Sequence, residues 1–339
     1  MIETMGDEVQ VSGAPDVPGL RFRRLGDGDF EALADLLNRC WAFDGLTERT
    51  TAADEANELA HLNGFDRTRD ALVGDLEGHL VAHARTNREI RADGVVLLRH
   101  HCAVDPSLRR RGIGRALLQH GRDRLREATL ALDPAGAPRV YAAWCAEGEA
   151  GDVALLTAEG YAPVRAFFEM ERPMLDNLPD LSLPAGIEVR PLTDRATAQR
   201  VLDAADEAFR DHWGHRDATE SDVLAILDGP HTDLSLWQVA WAGVEIAGIV
   251  QPSIHAEENA AIGRHRGWLD SVAVRRPWRG RGLASALMVR GMHALRERGM
   301  TSAGLGVDSE NPTGALRIYE RLGFEVTQRF LVFRRPFET

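Results

Sequence analysis

Apolar and polar positions along this chain fall into an order of elements that occurs twice. Gly19-Leu-Arg-Phe-Arg-Arg-Leu25 and Gly186-Ile-Glu-Val-Arg-Pro-Leu192 each alternate like a strand. A helical stretch follows each, over 30–41 and 196–213. Two hairpins come next, Ala71-Leu-Val-Gly-Asp-Leu-Glu-Gly-His-Leu-Val-Ala82 and Trp237-Gln-Val-Ala-Trp-Ala-Gly-Val-Glu-Ile-Ala-Gly248, with glycine at the turn. Each half then has an apolar strand (95–104 and 267–274), an Arg/Gly-rich loop (105–114 and 275–282) and a long helix (115–129 and 283–298). Each closes with a strand, a short helix and a final strand, in which Gly160-Tyr161 to Arg172-Pro173 parallels Gly323-Phe324 to Arg335-Pro336.

The offset between the copies starts at 167 residues, widens to 170 at the Gly-rich loop and ends at 163, so the halves differ by small insertions and deletions. Two copies are too few for a solenoid. The pattern predicts two similar α/β domains, 19–175 and 186–339. A linker over 176–185 is marked by Asp176-Asn-Leu-Pro-Asp-Leu-Ser-Leu-Pro-Ala185, and residues 1–18, which match nothing in the second half, form a loose tail.

Composition narrows the class. A chain of 339 residues with 44% hydrophobic and 27% charged positions suits two globular domains. No apolar run reaches the ~20 residues of a membrane helix, and the acidic start lacks the order of a signal peptide. Cys40, Cys102 and Cys145 are sparse and without metal-ligand spacing, which is read as reduced thiols in a cytoplasm. The net charge of −12 argues against a nucleic-acid partner and slightly favours a small cationic one.

The sharpest local signal is Arg279-Gly-Arg-Gly-Leu-Ala284 and its partner Arg109-Arg-Arg-Gly-Ile-Gly114, each between an apolar strand and a helix. Glycines there let backbone N–H groups point at an anion, the helix start adds partial positive charge, and arginines suit phosphate. Neither loop is a Walker motif. Neither completes G-x-G-x-x-G, because Ser285 and Leu117 stand at the third glycine, and this disfavours a dinucleotide oxidoreductase.

The pattern that fits is Arg/Gln-x-x-Gly-x-Gly/Ala. With it the sequence resembles the GNAT superfamily of acetyl-CoA-dependent acyltransferases, over residues 19–175 and 186–337. The second half is the closer match, through Val272-Ala-Val-Arg-Arg-Pro-Trp-Arg-Gly-Arg-Gly-Leu-Ala-Ser285 and Asn311-Pro-Thr-Gly-Ala-Leu-Arg-Ile-Tyr-Glu-Arg-Leu-Gly-Phe324. The resemblance implies two tandem GNAT domains, each a mixed, mostly antiparallel sheet flanked by helices. It also implies direct transfer of acetyl from acetyl-CoA to a primary amine.

On that resemblance, Val272, Ala273 and Val274 align the pantetheine arm, and the Val272 N–H polarises the thioester carbonyl. Arg279, Gly280, Arg281, Gly282, Leu283, Ala284 and Ser285 grip the diphosphate. Asn311 contacts the coenzyme, although Asn311-Pro312 also reads as a helix cap, and the two readings compete for one side chain. Tyr319 protonates the departing thiolate, against the alternative of a core tyrosine beside Ile318 and Leu322. The family's base position falls on Trp268, so Asp270, two residues on and on the same strand face, is the candidate base. His255, Glu257, Glu258 and His265 are alternatives. Asp211, His212 and Trp213 are candidates to border the acceptor.

In the first half, Cys102, Val104, Arg109, Arg110, Arg111, Gly112 and Gly114 outline a second cofactor site. Leu156 stands opposite Tyr319 and Gly148 opposite Asn311, so the first domain lacks the acid and the second is expected to be the catalytic one. Cys102, opposite Val272, is read as a small core residue, and His100 and His101 as structural rather than metal ligands. A small-molecule amine is the expected partner, with neither nucleic acid nor membrane. The competing reading is a non-catalytic acyl-CoA sensor.

Overall fold

A computed structural model of the chain describes residues 8–132, 136–192, 194–311 and 313–338. The first repeat supplies β1 (Leu20–Arg24), α1 (Phe30–Phe43), α2 (Ala52–His61), α3 (Arg67–Asp70), β2 (Ala71–Leu76), β3 (His79–Ile90), β4 (Val96–Val104), α4 (Ile113–Leu132), β5 (Arg139–Ala146), α5 (Ala150–Ala158) and β6 (Ala162–Arg172). The second supplies β7 (Glu188–Arg190), α6 (Arg195–Phe209), α7 (Glu220–Leu227), β8 (Gln238–Ala242), β9 (Glu245–Ser253), α8 (Ala256–Ile262), β10 (Arg266–Val274), α9 (Leu283–Glu297), β11 (Ser302–Asp308), α10 (Ala315–Arg321) and β12 (Glu325–Pro336).

Two compact units form, and their bounds differ from those of the repeats. One holds Met1–Val164 with Leu331–Thr339, the other Arg165–Phe330. Most of β6 therefore belongs to the second unit and the end of β12 to the first. Residues 176–185, expected as a linker, lie within the second unit, where Leu178 and Leu183 pack on its core. The expected loose tail is corrected for residues 8–18. The Val9 N–H donates to Phe22 O at 2.8 Å, and Val9, Val11, Ala14 and Val17 cover a core face of Phe22, Leu72 and Leu117. Residues 1–7 lie outside the described ones.

In the first unit the strands run β1-β2-β3-β4-β5 and close with the end of β12. In the second they run β6-β11-β10-β9-β8-β7. β4 pairs with β5 and β10 with β11 in parallel, whereas β1–β2, β2–β3, β3–β4, β6–β11, β10–β9, β9–β8 and β8–β7 are antiparallel. Helix α9 carries apolar residues three and four apart, and Leu283, Leu287, Met292 and Leu295 are sealed against the second sheet. Full burial of such side chains contributes roughly 1.5–3 kcal/mol each.

The parallel pairs matter most for function. Registry between β10 and β11 runs from Arg266↔Ser302 to Trp268↔Gly304 and stops. Between β4 and β5 it runs from Val96↔Arg139 to His100↔Ala143 and stops. Beyond those points β10 and β4 each have a partner on one edge only.

Candidate functional site

The open edge of β10 can be assigned atom by atom. The Arg275 N–H donates to Ala247 O at 3.0 Å, and Val274 lies opposite Gly248, so hydrogen-bonded pairs fall at Arg275 and Ala273. Ala273 thus turns its peptide groups to Ile249, and its side chain is buried. It faces away from the opening and drops out of the expected coenzyme-contacting set. The peptide groups of Val272 and Val274 point to the open edge. One of them is occupied, because Arg279 Nε donates to Val274 O at 2.9 Å. The first unit repeats the arrangement: the Asp105 N–H donates to Val81 O at 2.8 Å, Cys102 and Val104 face the opening, and Arg109 Nε donates to Val104 O at 3.0 Å.

Past the edge, the chain turns into the Gly-rich loop. Gly280 and Gly282 have φ of 72° and 80°, and a side chain at either would project into open space. Arg110 and Gly112 hold the same conformation in the first unit, with φ of 64° and 96°. An arginine in that region bears a strain of about 1–2 kcal/mol that glycine avoids. Intrahelical bonding starts with Ala286 N–H to Gly282 O and Ala116 N–H to Gly112 O. The N–H groups of Leu283, Ala284 and Ser285, and of residues 113–115, are therefore the unbonded first donors of their helices. Leu283 buries its side chain in the core.

The arginines divide by task. Arg279 spends its guanidinium on Val274 O, Ala208 O at 2.6 Å and Asp211 Oδ2 at 3.0 Å. Arg109 holds Val104 O and both oxygens of Asp44, at 2.7 and 2.8 Å. Both brace the loop against the C-terminal ends of α6 and α1, whereas the expectation from sequence is a grip on phosphate. Arg281, Arg110 and Arg111 are exposed.

Asp211, expected to border the acceptor, is engaged in the same brace. Its carboxylate is held by Arg276 and Arg279, which lower its pKa to about 2. His212 packs edge-on to Phe209, with ring centroids 4.8 Å apart. Trp213 lies under the Arg165 guanidinium at 5.3 Å, and Arg165 clasps Asp308 at 2.8 and 2.9 Å.

Asp270 occupies a special place in β10. Leu269 pairs with Pro252 and Ser271 with Gln251, leaving Asp270 as the extra residue of a β-bulge. Simple alternation from Trp268 breaks there, and the bulge re-aims the side chain. β4 pairs with β3 without such a shift. Asp270 reaches solvent, yet it is surrounded by protein, which raises its pKa by poor hydration. The Ser253 hydroxyl, His255 and His231 oppose that rise. Trp268 lies over the buried Arg266 guanidinium at 4.1 Å and so fills the family's base position with an apolar ring.

The other base candidates separate clearly. His255 Nε2 is 3.2 Å from Ser253 Oγ, and its ring stacks on His231 at 4.0 Å. Glu258 is buried against Arg266, whereas Glu257 and His265 are exposed. Sequence reasoning missed Ser253 and His231, which only pairing and packing bring to Asp270.

Tyr319 is 7% exposed and packs on Phe324 in the core of the second unit. Its hydroxyl has no hydrogen-bond partner among the described residues, and burial pushes its pKa up to about 12. Asn311 does not cap α10. Its Oδ1 accepts from the Thr313 N–H at 2.8 Å, and Gly314 holds the cap position. Pro312 lies outside the described residues.

The first unit contains a cavity of about 490 Å³ lined by Trp41, Cys102, Arg110, Gly114, Glu149 and Asp152, among others. Burial raises Glu149 to about 7 and Asp152 to about 6. It also raises the Cys40 and Cys102 thiols, to about 11 and about 12, which makes them poor nucleophiles. His100 is held low, at about 3, by burial and sits 3.1 Å from the Tyr161 hydroxyl. Among the described residues, one trio, Asp206, His215 and Asp217, brings metal-ligating atoms within 4.8 Å of one another. Asp206 already accepts the Ala218 N–H, and no step of acyl transfer calls on the trio.

A family model described as acetyltransferase (GNAT) family matches residues 30–147 and again 198–324. The mycothiol acetyltransferase of Thermomonospora curvata is 33% identical over 222 residues, spanning 65% of this chain and 68% of that protein. That of Geodermatophilus obscurus is 28% identical over 306 residues, 89% of this chain and 92% of that one. Among solved structures, a GCN5-related N-acetyltransferase from Sphaerobacter thermophilus superposes with a TM-score of 0.68 at 28% identity, covering 95% of this chain and 96% of that one. A tandem GNAT protein from the clavulanic acid biosynthesis pathway gives a TM-score of 0.68 at 18% identity over 94% and 98% of the two chains, a likeness of fold. Among the described residues, no helix is long and apolar enough to cross a membrane.

Proposed function

The chain belongs to the acetyltransferase (GNAT) family, as an acetyl-CoA-dependent N-acetyltransferase with two such domains in tandem, and on that premise we propose that it acetylates the primary amine of a small molecule in its second unit. The observation that carries this reading is the open edge of β10, with the bulged Asp270 at one end and the helix start at Leu283 at the other. The coenzyme diphosphate would lie on the N–H groups of residues 283–285, near Arg281. The pantetheine would follow Val272 and Val274, and the Val272 N–H would meet the oxyanion. Asp270 would take the ammonium proton and Tyr319 would stabilise and protonate the thiolate.

The first unit has the matching loop and a cavity, but Leu156 stands where Tyr319 does in the repeat. It would hold a ligand without turning it over. The relatives named mycothiol acetyltransferase direct the choice of acceptor to desacetylmycothiol, the free-amine form of that thiol. The test incubates the protein with acetyl-CoA and, separately, desacetylmycothiol, glucosamine, a polyamine and a lysine peptide. The expected result is coenzyme A release with addition of one acetyl group to desacetylmycothiol. Coenzyme binding without transfer to any of these amines would support the sensor reading instead.

A further inference from the structure

We propose that Ser253 and His255 form a proton exit from Asp270, with Glu258 fixing the orientation of the His255 ring. The proposal rests on Asp270 being the base of the acetyl transfer and adds the route by which its proton leaves.

The residues come from three elements: Ser253 from β9, Asp270 from β10, and His255 and Glu258 from the start of α8. Ser253 ends β9 and is buried, and its hydroxyl lies close enough to the Asp270 carboxylate to oppose the rise that burial imposes on that group. His255 precedes α8, with Nε2 3.2 Å from Ser253 Oγ and Nδ1 3.5 Å from Glu258 Oε2. Glu258 is itself buried and gripped by Arg266, which keeps it ionised. A fixed carboxylate opposite Nδ1 selects the tautomer with the proton on Nδ1 and leaves Nε2 as an acceptor. The other ring facing His255 is His231, stacked at 4.0 Å and 17°, with Trp268 tilted at 6.3 Å. Arg266 acts on the imidazole only through Glu258 and the Trp268 ring it lies under.

The step balances as follows. The acceptor ammonium N–H bond breaks and an O–H bond forms on Asp270. That proton passes to Ser253 Oγ as the hydroxyl's own proton moves to His255 Nε2. The imidazolium so formed faces the Glu258 carboxylate, and its partly exposed ring returns the proton to water. The carboxylate is then ready for the next turnover.

The experiment measures kcat, KM and their pH dependence for desacetylmycothiol in His255→Gln, Ser253→Ala and Asp270→Asn, with acetyl-CoA binding by calorimetry as the folding control. His255→Gln and Ser253→Ala are expected to lower kcat at neutral pH by about tenfold or more, inside the range of proton-transfer catalysis. Acceptor KM and coenzyme affinity stay near wild type. The deficit shrinks as pH rises and the amine arrives already deprotonated, and added imidazole restores part of the rate of His255→Gly. A deficit of the same size at every pH, without imidazole rescue, overturns the exit and leaves His255 a packing residue. Full activity in both variants, with Asp270→Asn impaired, overturns the exit alone. Full activity in Asp270→Asn overturns the base assignment and the exit with it.

Discussion

Replacing Tyr319 by Phe tests the acid with little disturbance of the fold. The ring is 7% exposed and packs on Phe324, and Phe keeps that packing. The hydroxyl has no partner among the described residues, so its removal strands no buried donor or acceptor, and the stability change should stay below about 1 kcal/mol. Energetic matching decides whether the phenol can donate. Burial raises Tyr319 to about 12, and a thiol in water titrates near ~8.5, so transfer to a hydrated thiolate would be uphill by more than three pKa units, or roughly 4–5 kcal/mol. Cys102, which stands where Val272 does in the repeat, shows what such an environment does to sulfur: its thiol is raised to about 12. Seclusion of the released thiolate beside Tyr319 would raise its basicity in the same direction and so narrow that gap. Loss of the donor should lower kcat about 10²- to 10⁴-fold. The assay follows coenzyme A release under saturating acetyl-CoA, with coenzyme affinity by calorimetry. A phenol raised to about 12 stays protonated through neutral pH, so no alkaline fall in wild-type kcat below about pH 10 should trace to it. A variant within a few-fold of wild type would refute the acid role and leave Tyr319 as core.

Two other perturbations probe separate parts of the account. Asp211→Asn releases Arg276 and Arg279 and should weaken acetyl-CoA binding while sparing turnover at saturation; unchanged or tighter binding would mean that those arginines grip phosphate rather than brace the loop. Glu55, raised to about 7 mainly by burial and the nearby Glu58, is neutral in the folded protein at acid pH and above it carries a charge that Arg85 and the Thr50 hydroxyl only partly offset. Its favourable contribution is present below the unfolded pKa near ~4.5 and is lost as pH rises through about 7. Glu55→Gln should thus unfold at higher denaturant than wild type at pH 8, by up to about 3 kcal/mol, and equal it near pH 4.5. Equal midpoints at pH 8 would place the Glu55 charge in a better-solvated setting.

Much of the architecture is legible in the chain because each repeat carries strong period-2 and period-3.6 patterns around one distinctive loop. The helices over 30–41 and 283–298 appear within a residue or two of where the pattern puts them, and both hairpins form at their glycine turns, with second strands that run on to Ile90 and Ser253. What escaped is of three physical kinds. Unit membership is decided by contacts that no repeat boundary marks, so β6 and β12 each divide between units. The Asp270 bulge is one extra residue inside a widening offset, visible only once strands are paired. Side-chain partners are the third: Arg279 looks like a phosphate ligand until Asp211 and two carbonyls claim it. Helices α2 and α7 did leave a signal, in Thr51 with Asp54 and Thr219 with Asp222, each a reciprocal cap at the start of its helix.

The central claim is that acetyl transfer uses the loop of the second unit. Gly282→Val tests it most directly. At φ of 80° a branched side chain is strained, and its Cβ projects into the open space above the first N–H groups of α9. Turnover of desacetylmycothiol and acetyl-CoA binding stoichiometry are measured on the folded variant. Loss of turnover together with the binding that supports it is the predicted result. Turnover near wild type would contradict the account and move the reacting coenzyme to the first unit, at Gly112.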